Sequence, residues 1–66
     1  MKKISNKIIA EVKKFGSYDT RDYYYTEAWS SEENYYIVLR INKKEHVPGT
    51  VDWYTKLNWE RVIPRV

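Results

Sequence analysis

Ile4, Ile8, Val12 and Phe15 recur at offsets of four, eight and eleven residues, a spacing that gathers them on one side of a helix turning about 100° per residue. Lys7, Ala10, Glu11 and Lys14 fall on the opposite side, with Ile9 and Lys13 at the border. Ser5 stands where an N-cap is needed, and Ile4 is placed to staple against Ile9 one turn on. Gly16 follows the last periodic residue as the C′ stop, and Lys13 and Lys14 suit the negative end of the helix dipole. The pattern predicts a helix from about Ser5 to Phe15.

Beyond Gly16 the chain turns to strand chemistry. Arg21–Trp29 and Asn34–Asn42 are rich in Tyr, Thr, Ile and Val, which suit a pleated, half-buried surface. Ser30-Ser31-Glu32-Glu33-Asn34 between them is a polar five-residue connection of hairpin length. A register centred on Glu32 pairs Trp29 with Tyr35, Tyr25 with Leu39 and Tyr23 with Ile41. One face then collects Tyr23, Tyr25, Trp29, Tyr35, Ile37, Leu39 and Ile41; the other collects Tyr24, Thr26, Ala28, Tyr36, Val38 and Arg40. The first face is expected under the helix, with Ile8, Val12 and Phe15 packing on Tyr25, Ile37, Leu39 and Ile41.

Val47-Pro48-Gly49-Thr50 carries Pro and Gly where a type II turn takes them. After it, Val51, Trp53, Leu57, Trp59 and Ile63 are interleaved with polar residues and Tyr54. A straight hairpin through Pro48-Gly49 would set Ile41 against Lys56 and Arg40 against Leu57, so its faces disagree. Thr50 as N-cap and Asp52 in a first turn predict instead a short helical piece over Val51–Leu57. A strand over Asn58–Ile63 follows, which Pro64 ends or places at a sheet edge. The expected fold is α+β: an N-terminal helix on a small three-stranded antiparallel sheet, with a short helical piece before the last strand, in one domain spanning 1–66.

Composition changes this picture in two ways. A chain of 66 residues buries only about 60% of its unfolded surface on folding; seven Tyr, three Trp and one Phe partly compensate, because each ring covers a large area. The absence of cysteine points to a reducing compartment, and hence to the cytoplasm. Met1–Lys7 begins like a signal n-region, but no apolar stretch follows. The longest apolar run, Tyr35–Leu39, is far short of the ~20 residues of a membrane helix. The net charge of +3 is segmented: five Lys against Glu11 in residues 1–15, an acidic middle over 16–34, and a basic remainder.

The residues of catalysis are scarce. His46 is the only histidine, no cysteine accompanies it, and a zinc site needs several such ligands; it is expected to be a solvated loop residue. Ser5 is accounted for as a cap, Ser17 by the helix exit, and Ser30 and Ser31 by the hairpin loop. Glu32 and Glu33 belong at the hydrated hairpin tip, and Asp19 and Asp22 in a turn. Gly16 and Gly49 are the only glycines, too few for a phosphate-cradling loop. The expectation is no catalytic residue, no cofactor, no metal and no membrane partner.

Binding is the remaining class. The hairpin register above sends Tyr24, Tyr36 and Arg40 to the face turned from the helix, and Tyr and Arg are enriched in binding hot spots. A protein-docking module of inhibitor or adaptor type is one reading. The other is a nucleic-acid-binding accessory domain, supported by a pI of 9.2, with Lys7, Lys13 and Lys14 contacting phosphates. Segmented charge favours the protein partner. Should neither surface serve, the Pro48-Gly49 turn and Trp53 are next in line. The length and helix-then-strands order are shared with the double-stranded-RNA-binding domain, but that family closes on a second long helix where this chain has Trp59-Glu60-Arg61-Val62-Ile63-Pro64. No family is assigned, and the oligomeric state is left open.

Overall fold

Ser5 caps the first helix as its spacing requires: its side-chain oxygen accepts from the Lys7 backbone N–H at 3.2 Å. Gly16 ends that helix at φ 87°, donating its N–H to the Val12 carbonyl at 2.7 Å, a left-handed conformation that glycine adopts without strain. In the computed structural model, which describes residues 1–66, this helix is α1 (Asn6–Phe15). Around it the chain runs β1 (Lys2–Ile4), β2 (Ser17–Asp19), β3 (Tyr23–Ser30), β4 (Tyr35–Asn42), α2 (Val51–Tyr54), a 3₁₀ turn (Lys56–Asn58) and β5 (Trp59–Pro64).

The fold is α+β, with a five-stranded sheet in the order β1-β5-β4-β3-β2 rather than the three strands expected. β1 runs parallel to β5, and every other neighbouring pair is antiparallel. The two additional strands are three residues each, too short to show a period of their own. They form because β5 and β3 present open edges to chain already held by α1. Lys2 and Lys3 on one of these outer strands also discourage further edge pairing.

The hairpin closes one residue away from the expected register. Ser30 pairs with Tyr35 across a four-residue turn, so Trp29 faces Tyr36, Tyr25 faces Arg40 and Tyr23 faces Asn42. Asn34 makes this possible at φ 60°, a left-handed conformation that Asn tolerates better than most residues. Its N–H bonds the Ser30 carbonyl at 2.8 Å. Changing the loop from five residues to four turns β4 over relative to β3. Tyr23, Tyr25 and Trp29 therefore share a face with Tyr36, Val38 and Arg40, while Ile37, Leu39 and Ile41 lie on the other.

Beneath α1 the core is Ile4, Val12, Tyr25, Val38 and Val62, with Ile8, Ile9, Tyr18 and Tyr23 packed against it. This corrects the expected partners of the helix: Val38 takes the place of Ile37, Leu39 and Ile41, and Phe15 is 66% exposed, with the Lys14 ammonium 5.2 Å from its ring centre. A ten-residue helix spans ~15 Å, and an eight-residue strand about 26 Å. α1 leads from β1 at one edge of the sheet to β2 at the other, so it crosses the strands and covers only part of their length.

The second face is covered at one end only. α2 lays Trp53, 9% exposed, over Ile41 at 1%, and Trp53 packs on Trp59 and Tyr24 with ring centres 5.5 and 5.7 Å away. This flap is tied down by its polar groups. Thr50 caps α2 by accepting from the Trp53 N–H at 3.2 Å. The Trp59 indole donates to the Trp53 carbonyl at 2.7 Å, and Asn58 donates to the Asp52 carbonyl and carboxylate at 2.7 and 2.8 Å. His46, expected in solvent, is only 17% exposed along its side chain and meets the Asp52 carboxylate through Nδ1.

Candidate functional site

The register separates the three residues expected to form a patch. Tyr24 stays on the face turned from α1, but half-buried between Trp53 and Trp59. Tyr36 and Arg40 are carried to the helix face by the turning-over of β4. Tyr36 is 55% exposed and packs edge-on against Trp29 at 5.2 Å. Arg40 is enclosed: Nε donates to Glu60 at 2.7 Å, Nη1 lies 3.4 Å from the Tyr25 hydroxyl, and the guanidinium sits 4.0 Å from the Tyr23 ring centre. Burial works against its charge, yet hydrogen bonds with Tyr25 and Glu60 raise its pKa above the ordinary arginine value. That is the environment of a structural ion pair.

The three lysines are separated in role as well. Lys7 is exposed and forms no ion pair. Lys13 is engaged with Glu27 and with the Tyr36 carbonyl, both at 3.1 Å, and Lys14 rests over Phe15. They do not form a continuous row of unpaired cations.

What the structure brings together instead is the uncovered half of the second face. Thr26, Ala28, Ile37 and Leu39 stand there side by side on β3 and β4, half-buried by one another with no element above them. Two adjoining depressions, of about 370 and 270 Å³, run along this strip from the hairpin turn to the flap and share Leu39, Lys56 and Trp59. Tyr35 and Tyr54 stand at its two ends, 49% and 76% exposed. The β3 half of this strip, with Thr26 and Ala28 facing away from the helix, follows from the expected alternation. The β4 half does not, because it depends on the length of the turn.

A clamp closes one side. Arg61 reaches from β5 to the hairpin turn, donating through Nη2 to Glu33 at 3.0 Å and to the Tyr35 hydroxyl at 3.2 Å, while that hydroxyl itself bonds Glu33. Hydrogen bonds from Arg61 and Tyr35 hold the Glu33 carboxyl below the ordinary glutamate range, against a smaller opposing effect of desolvation. A depressed folded-state pKa contributes stability that is present above the ordinary range and lost as pH falls through the depressed value. Carboxylate-detected NMR titration should therefore place Glu33 below an ordinary glutamate in the native protein, and Arg61→Met should move it upward. An unchanged midpoint in that variant would show the clamp is not formed in solution.

At the opposite end of the molecule a polar cleft of about 420 Å³ is lined by Tyr23, Arg40, Asn42, His46 and Glu60 among others. Here His46 is oriented by Asp52, and Arg40 is already committed to Glu60. No group of three or more His, Cys, Asp and Glu side chains is placed to hold a metal ion, and no helix is long and apolar enough to cross a membrane. No protein-family model matches the chain, and no curated protein or solved structure is significantly similar to it.

Proposed function

We propose that this chain is a non-catalytic binding module that docks on a protein through the uncovered half of its second sheet face. One observation carries the reading: α2 and its 3₁₀ turn cover only the Tyr24–Ile41–Trp59 end of that face, leaving the Ala28–Ile37–Leu39 end open. A contiguous apolar strip with polar ends is the usual form of a protein interaction site. Nucleic acid is disfavoured as the partner, since Lys13 is ion-paired and the acidic hairpin turn borders the strip.

A photo-crosslinking side chain placed at Tyr54, beside the strip, and separately at Lys14, on the outer side of α1, tests the reading in the native cell. The Tyr54 position should yield a protein adduct, identified by mass spectrometry, that disappears when Leu39→Glu is introduced into the same chain. Adducts that form equally at Lys14, or that persist with Leu39→Glu, would count against it. Salt-sensitive binding to mixed RNA or DNA that is lost on changing Lys7, Lys13 and Lys14 to Gln would favour the polyanion instead.

A further inference from the structure

The strip carries a charge pattern that is complementary to itself. Of the charged residues along it, Arg61 and Glu33 neutralise each other. Lys56 and Glu32 also line it, and neither forms an ion pair. Both line the hairpin-side depression: Glu32 belongs to the hairpin turn, and Lys56 to the 3₁₀ turn where this depression joins the flap-side one.

We infer that the protein that docks on this face is a second copy of the same chain, an inference that rests on the docking reading above. A two-fold axis lying in the interface and crossing this depression at right angles exchanges the Glu32 and Lys56 positions. Lys56 of each copy then meets Glu32 of the other, giving two identical ion pairs at the rim. Ala28, Ile37 and Leu39 of both copies meet at the centre, where facing sheets pack about 10 Å apart.

A thin core makes this arrangement physically favourable. Only seven side chains of the 66-residue chain are buried, and small domains commonly add oligomerisation to an insufficient core. One half-face is a small footprint, at or below ~1,200 Å² in total, which belongs to weak, reversible association.

Sedimentation velocity on the full chain, from about 10 μM to 1 mM to span a small interface of this kind, tests the inference with two charge reversals. Lys56→Glu and Glu32→Lys both alter exposed side chains, and thermal melts verify that each folds. The wild type should shift from monomer to dimer with concentration. Each reversal alone should remain monomeric, because it sets like charges opposite one another twice. An equimolar mixture of the two should dimerise again, since every contact is then Glu against Lys. A monomeric wild type, a Lys56→Glu variant that associates as well as the wild type, or a mixture that fails to associate would each overturn the two-fold arrangement. If the wild type is monomeric while Tyr54 still crosslinks a different protein in a Leu39-dependent way, the docking reading stands and self-association falls. If that crosslink is absent too, both fall.

Discussion

Replacing Trp53 with alanine should lower the stability of the protein by about 3–5 kcal/mol, the range for removing a buried indole. Trp53 is 9% exposed and is the only side chain of α2 that is buried. Its loss uncovers Ile41 and removes the ring contacts with Tyr24 and Trp59 at 5.7 and 5.5 Å. It also removes the reason for the flap to stay folded back, because a four-residue helix has no stability of its own. A small domain has only ~5 kcal/mol to lose, so Trp53→Ala should be largely unfolded at 37 °C by circular dichroism. His46→Ala should act in the same direction but more weakly, by about 0.5–1.5 kcal/mol, because it removes one polar contact and leaves Trp53 in place. A Trp53→Ala protein that melts with the wild type would show that the flap contributes nothing to the folded state.

Val38→Asp and Leu39→Asp should have opposite outcomes, although the residues are neighbours. Val38 is 4% exposed beneath α1 among Val12, Tyr25 and Val62. A carboxylate there has no cation within the cluster and no water, and an uncompensated buried charge costs about 3–5 kcal/mol. Val38→Asp should therefore fail to fold at neutral pH. Leu39 points to the half-open strip, where a carboxylate keeps contact with water and has Lys56 nearby. Leu39→Asp should retain a cooperative melt and lose association. The reverse order, with Leu39→Asp unfolded and Val38→Asp folded, would establish the five-residue turn and its register.

That pair of residues also marks the limit of alternation as a guide to the faces of a strand. Alternation fixes faces when one side of a strand is apolar and the other polar. In Tyr23-Tyr24-Tyr25 and Ile37-Val38-Leu39 both sides are apolar, so the pattern of each strand is satisfied either way up. The choice then passed to the turn, and an Asn at φ 60° shortened it by one residue. Tyr36 and Arg40 moved to the helix face for that reason alone, and the docking strip came to be made of Ile37 and Leu39.

His46 fails differently. Exposure is the ordinary condition of a histidine in a polar loop, and nothing in Lys43-Lys44-Glu45-His46-Val47 indicates otherwise. Its contact with Asp52 exists because α2 folds back over Ile41, which brings together residues six apart.

Elements with local causes were legible in the chain before any contact was known. Ser5 and Gly16 bound α1 because capping and left-handed termination involve only adjacent backbone. Thr50 and Asp52 start α2 for the same reason, and Pro64 closes β5 because it has no N–H to give. On β3, alternation set Tyr25 on one face and Thr26 and Ala28 on the other. Tertiary structure decided whatever required two distant segments to meet. The three-residue strands β1 and β2 take their hydrogen bonds from β5 and β3. The pairing of Arg40 with Glu60 follows from the β4–β5 register, and the open strip exists because α2 is too short to reach the hairpin end of the sheet.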